Sequence, residues 1–243
     1  MPMRVRVRYT KGDTVRFLSH LDIARNLRMA LAGAKWPVAM TQGYSPKMKV
    51  SFYAPLPVGT AGDEEYMDVV LDTKGIADFI RAKAQGALSG GNAGRHVRLA
   101  HVLTPLAQAL SAALPKGIAL KGLYIVPDSK SSFESQIRAS LYRVETEEVT
   151  AEALSSAMAE FLAQAQVLSE LRRPGQTKTV DLRKFVESID VVPNSCPATF
   201  FMKIRHENGR TVRPQWVIDS LARFGMDVDT AEVIVDRIKL YLE

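Results

Sequence analysis

One cysteine, Cys196, stands in a chain of 243 residues. A lone thiol excludes an intrachain disulfide, a zinc-finger ligand set and a three-cysteine iron–sulfur site, so any such cluster has to come from a partner. No apolar run approaches the roughly 20 residues needed to span a bilayer, and the opening M-P-M-R-V-R-V-R lacks the apolar centre of a signal peptide. The expected location is the cytoplasm, with no membrane partner. Also missing are G-x-x-x-x-G-K, G-x-G-x-x-G, G-x-S-x-G and H-E-x-x-H. Phosphate-loop, dinucleotide, serine-hydrolase and zinc-protease chemistry therefore have no motif here, and no cofactor is expected on this chain.

What is present is an ordinary globular balance, 47% apolar and 24% charged, in a length that suits one large domain or two small ones. The net charge of +6 is unevenly placed: residues 1–50 carry ten Lys or Arg against Asp13 and Asp22, a local balance of +8. Such asymmetry points to a polyanion-facing surface, with nucleic acid the first candidate and a solvated basic face without a dedicated ligand the alternative.

Met3–Tyr9 alternates strictly, which predicts a strand with Val5, Val7 and Tyr9 inward and Arg4, Arg6 and Arg8 outward. Leu21–Leu31 follows with a helical stripe of Ile23, Leu27, Ala30 and Leu31, and with Arg25 and Arg28 toward the other side. Strands are expected at Val38–Gln42, Lys47–Ala54 and Glu65–Leu71, then a helix at Gly75–Ala87 ended by the glycine-rich Ser89–Gly94, and a strand at His96–Leu103. The order is β-α-β-β-α-β, the ferredoxin-like unit.

A connecting region over 104–132 follows, with Pro105 at the first position of a short helix, a stop at Pro115-Lys116-Gly117, extended chain at Ile118–Val126 and a loop at Pro127–Ser132. The order then restarts: a strand at Leu141–Glu147, a helix at Thr150–Gln164, extended chain at Thr179–Val192 and Ala198–His206, a turn at Asn208-Gly209, a helix at Pro214–Phe224 and a strand at Glu232–Leu242. The expected fold is α+β, two ferredoxin-like halves (1–103 and 133–243) with antiparallel sheets and helices on one face. The opposite face of the first sheet would expose Arg4, Arg6 and Arg8. With no aromatic residue beside them, they suit phosphate contact better than base reading.

Ser19-His20-Leu21-Asp22 has the form S-x-x-D, a capping box in which the serine caps the helix and the aspartate reaches back. That accounts for Asp22. His20 would sit at the first helical position near unpaired amides and Arg16, where the neutral imidazole is favoured, and it is the one weak catalytic candidate. His96 and His101 fall on opposite faces of their expected strand and make a poor metal pair, while His206 reads as an exposed strand-end residue. Asp63, Glu64, Glu65 and Asp68 read as a solvated acidic loop, with cation binding as the alternative. Two basic segments remain. Thr41–Lys49 offers Tyr44 for stacking and Lys47 and Lys49 for phosphate; Leu171–Lys184, a loop turning at Pro174-Gly175, carries Arg172, Arg173, Lys178, Arg183 and Lys184.

The blocks R-F-L-S-H-L-D (Arg16–Asp22), T-Q-G-Y-S-P-K-M-K-V-S-F (Thr41–Phe52), P-L-P-V-G (Pro55–Gly59) and E-Y-M-D (Glu65–Asp68) resemble the bacterial radical SAM-linked protein family. Fainter matches continue through Ser131–Tyr142, Val180–Arg183 and Thr211–Ile218. The resemblance implies a domain of uncharacterised function that accompanies a radical S-adenosylmethionine protein, here in the stand-alone form. The iron–sulfur cluster and S-adenosylmethionine would then belong to that partner. Lys47-Met48-Lys49 departs from a common H-P-K of the family, which weakens a metal-ligand role for this loop. The resulting expectation is a non-catalytic accessory protein that binds structured RNA, transfer or ribosomal, through Arg4, Arg6, Arg8, Arg16, Tyr44, Lys47 and Lys49, with the Arg172–Lys184 segment extending the track. The alternatives are a metal-independent endoribonuclease using His20 as base, by analogy with paired ferredoxin-like RNA-processing enzymes, and a protein-only scaffold for the radical SAM enzyme.

Overall fold

The computed structural model describes residues 3–84, 95–127, 133–173, 176–207, 209–226, 228–229 and 232–242. The chain forms two compact units, one of residues Met1–Val58 and Asp63–Lys130, the other of Gly59–Gly62 and Ser131–Glu243. The fold is α+β, and each unit is ferredoxin-like.

The first unit runs β1 (Met3–Lys11), α1 (His20–Gly33), β2 (Val50–Phe52), β3 (Thr60–Leu71), α2 (Thr73–Ala84), α3 (Arg95–Ala113) and β4 (Ile118–Val126). Its strands lie in the order β4-β1-β3, with β2 against β3. This is the 4-1-3-2 order of the ferredoxin-like unit. The period-2 pattern of β1 does what its residues require: Val5, Val7 and Tyr9 are buried with Leu27 and Leu31 of α1, Leu106 and Leu110 of α3, and Met67, Val69 and Leu71 of β3. The helices thus cover one sheet face.

Two expectations are corrected here. The segment His96–Leu103 is not a strand but the start of α3, in which Pro105 is internal. Val102, Leu103, Leu106, Ala109, Leu110 and Ala113 recur at helical spacing and pack on the core, so the 3.6 period outweighs a short apparent alternation. The fourth strand is instead β4, drawn from what reads in the sequence as connecting chain, and it pairs antiparallel with β1 from Arg4↔Val126 to Lys11↔Ile118. Gly117, at φ +92°, makes the turn into it. Smaller differences follow the same logic. Val38–Gln42 contributes only the single bridges Val38↔Leu71 and Met40↔Met48, and β2 is three residues long. The Ser89–Gly94 and Asp128–Ser132 segments lie outside the described residues.

The second unit opens on a short helix, α4 (Phe133–Gln136), and continues with β5 (Ile137–Thr146), α5 (Ala151–Ala163), β6 (Leu168–Arg173), β7 (Gln176–Asp181), β8 (Val186–Val191), β9 (Ala198–Arg205), α6 (Pro214–Leu221) and β10 (Ile234–Leu242). The order β10-β5-β9-β8 is again 4-1-3-2, all antiparallel, and Thr60–Gly62 runs parallel along Val235–Arg237 of β10. Thr150 caps α5 by accepting from the Ala153 amide, and Leu154, Ala157, Met158 and Phe161 pack with Val217, Ile218 and Leu221 of α6 over Val144, Phe200, Met202 and Ile204. The basic segment Leu171–Lys184 is not a loop: β6 and β7 form a separate antiparallel hairpin, with Leu171 opposite Lys178. Its turn, Pro174-Gly175, lies outside the described residues, as does Asn208.

Candidate nucleic-acid interface

The sheet face away from the helices in the first unit carries Arg4, Arg6 and Arg8, as their alternation with buried valines demands. The acidic group expected in a solvated loop lies instead on β3, and two of its members, Glu65 and Asp68, are buried. Arg6 donates two hydrogen bonds to Asp68, at 2.8 and 3.0 Å, and Arg8 donates to Glu64 at 3.1 Å. The Tyr53 hydroxyl donates to the same Asp68 at 3.1 Å, and burial, followed by the Asp68 charge, pushes its pKa up to about 12. Arg16 is also buried and bonds Asp13, while the Lys11 ammonium donates to the Arg16 carbonyl at 2.7 Å. Of the arginines assigned to phosphate, Arg6, Arg8 and Arg16 therefore already hold protein carboxylates.

The capping box at α1 is complete. Ser19 Oγ accepts from the Asp22 amide at 3.2 Å and Asp22 Oδ2 accepts from the Ser19 amide at 3.2 Å. The Ser19 hydrogen bonds hold the exposed Asp22 carboxyl below its ordinary pKa. His20 meets the Phe52 ring edge-on at 5.6 Å, and partial burial, then the Arg28 charge, lowers its pKa. The Arg28 guanidinium lies over the same ring at 5.1 Å.

Beside that contact runs a groove of ≈ 1030 Å³. One wall is a second stripe of α1, Leu21, Arg25, Arg28, Met29 and Ala32, at spacings that share a helix face distinct from the core stripe. The other wall is the segment from Met40 to Ser51, with Lys47, Met48 and Lys49. Among the described residues no acidic one lines it. The Thr41 amide donates to the Lys47 carbonyl at 2.8 Å, and the Lys47 amide donates to Thr41 Oγ1 at 2.9 Å, closing a loop whose tip holds Gly43 at φ +139° and the fully exposed Tyr44. Lys47 and Lys49 line the groove, whereas Tyr44, on the same loop, is not among its lining residues. Arg25 and Arg28 join Lys47 and Lys49, and this the linear pattern did not reveal. A usable signal was the recurrence of Leu21, Arg25, Arg28 and Met29 at helical intervals outside the core stripe.

In the second unit the basic segment divides. Lys178 is exposed on β7, whereas Arg183 donates to the carbonyls of Leu162 and Val186 and Lys184 pairs with Glu207 at 3.1 Å. The side chains of Arg172 and Arg173 are outside the described residues. His206 is a correction: it is buried rather than exposed, within 2.8 Å of Ser140 Oγ, and burial together with Arg237 lowers its pKa to about 4. The cause is the alternation of β9: His206 continues the buried set Ala198, Phe200, Met202 and Ile204, and its amide donates to the Arg138 carbonyl at 2.7 Å. His101 is exposed on a helix, not a strand, and the His96 side chain is outside the described residues. Among the described residues no group of three or more His, Cys, Asp or Glu is placed to hold a metal ion, and no helix is long and apolar enough to cross a membrane.

A family described as "Uncharacterized protein conserved in bacteria (DUF2344)" matches residues 4–101 and 95–214. The chain belongs to the DUF2344 family. The match to this DUF2344 chain takes in α1 and the Met40–Ser51 wall of the groove and stops at the start of α6, before β10. No curated protein matches it. Among solved structures, a Cbf5-Nop10-Gar1 complex is similar at 9% identity and a TM-score of 0.39, over 91% of this chain and 44% of that one. A structure assigned as a glycine cleavage system transcriptional repressor is similar at 9% identity and a TM-score of 0.24, over 98% of this chain and 99% of that one. Both scores are too low for either structure to bear on what the DUF2344 chain does.

Proposed function

We propose that this protein is a non-catalytic accessory subunit of a radical SAM enzyme and that it binds structured RNA through the groove beside α1. The observation that carries the reading is the charge of that groove: Arg25, Arg28, Lys47 and Lys49 line it, and no acidic residue is among its described lining residues. Arg6 and Arg8, by contrast, are already held by Asp68 and Glu64, so displacing a carboxylate would oppose their contact with phosphate. The reading therefore centres on the groove and moves away from the open sheet face. Lys178 on the hairpin adds an exposed cation in the second unit. The radical SAM partner rests on the sequence resemblance, and its cluster and S-adenosylmethionine belong to that enzyme.

The test is RNA affinity against salt, read by fluorescence anisotropy on a small-RNA fraction. Four phosphate contacts give a log–log slope of about −3, from roughly 0.7 to 0.9 per contact. Arg25→Glu with Lys47→Glu should flatten the slope and weaken binding, and Arg8→Ala should change neither. An affinity indifferent to salt, or one lost in Arg8→Ala and kept in the groove variant, overturns the proposal.

A further inference from the structure

Contact between cations and phosphate leaves part of the groove without a role. Leu21 is 77% exposed, Met29 65% and Met40 47%, and all three line it between the four cations. A duplex keeps its bases stacked inside and offers the protein phosphates and sugars, for which apolar side chains supply nothing. Unpaired RNA exposes base faces beside its phosphates, and sequence-tolerant binding of such strands combines a cationic groove with surfaces on which bases lie flat. The α1 stripe alternates these two needs along one helix face, apolar at Leu21 and Met29, cationic at Arg25 and Arg28. Arg28, exposed and positioned over the Phe52 ring, offers a guanidinium plane of the kind on which bases stack.

We infer that the groove takes an unpaired stretch of RNA, its bases against Leu21, Met29 and Met40 and its phosphates against Arg25, Arg28, Lys47 and Lys49. This deepens the RNA-binding reading above and rests on it. Tyr44 favours a nucleic acid over the other occupant such a groove suits, an acidic amphipathic helix: a fully exposed ring at the tip of the lysine-bearing loop is a plane for a base.

The experiment compares labelled oligouridine, whose bases stack weakly on one another, with the same strand annealed to oligoadenosine, using the full chain at one salt concentration. The single strand should bind about tenfold more tightly than the duplex. The double variant Leu21→Ser, Met29→Ser alters only exposed positions; it should lose about tenfold in affinity for the strand, leave the duplex unaffected and keep the wild-type Tm. Equal affinity for strand and duplex, or a double variant that binds the strand as the wild type does, overturns the inference while the RNA-binding reading stands. Failure of both RNA forms to bind removes that reading as well. An acidic amphipathic peptide that binds the wild type and not the double variant, while oligouridine is indifferent to the change, hands the groove to a protein partner and also overturns the inference.

Discussion

Arg6 and Asp68, 62 positions apart in the chain, meet through two hydrogen bonds of 2.8 and 3.0 Å on side chains that are 13% and 3% exposed. The pair ties β1 to β3 on the sheet face away from the helices, and Tyr53 of the chain just beyond β2 completes it through its hydroxyl. A residue that in isolation looks like a phosphate ligand is thus part of the fold.

Removing the carboxylate should therefore cost stability more than binding. Asp68→Ala takes the buried partner from Arg6 and from the Tyr53 hydroxyl, and we expect a loss of about 3 kcal/mol in urea unfolding, whereas Arg6→Met combined with Asp68→Leu should recover most of it. A loss below about 1 kcal/mol for Asp68→Ala would put the pair in the class of weak surface bridges.

His206 predicts an acid limb of stability. Burial and Arg237 hold its folded pKa at about 4, below the ordinary value of 6.5, so between those values the unfolded chain binds the extra proton. Stability from this residue is whole above pH 6.5 and drains away as pH falls through about 4, by at most about 3 kcal/mol. The informative quantity is the difference in denaturation midpoint between wild type and His206→Gln. That difference should shrink on acidification; a pH-independent difference would mean that the folded and unfolded chains hold that proton equally well, with no shift of the histidine in the fold.

The start of α1 separates architecture from catalysis. Ser19→Ala should cost about 1 kcal/mol through loss of the cap. His20→Ala should leave small RNAs as intact as the wild type leaves them when analysed on a denaturing gel. Cleavage by the wild type that disappears in His20→Ala would instead make His20 a catalytic base.

Much of the fold could be read along the chain. The strict alternation of β1, the core stripe of α1, its S-x-x-D start and the helix expected at Thr150–Gln164 all survive in the structure, because each depends on residues within a few turns or along one strand. The exceptions are as instructive. In α3 a brief alternation at 96–103 competes with a helical stripe that becomes clear only when Leu106 and Leu110 are seen against the sheet. The Leu171–Lys184 segment carries turn and charge signals in abundance, yet β6 and β7 pair with each other there.

Local pattern thus determined the two ferredoxin-like repeats and which face of β1 carries arginine, since side-chain period and capping act between near neighbours. Which cations keep their charge for a ligand was decided in three dimensions. Strand register brings Asp68 and Glu64 to Arg6 and Arg8, while the approach of residues 40–51 to α1 sets Lys47 and Lys49 in one groove with Arg25 and Arg28. Electrostatic pairing depends on distances across the fold, and those come from packing elements that lie far apart in the chain.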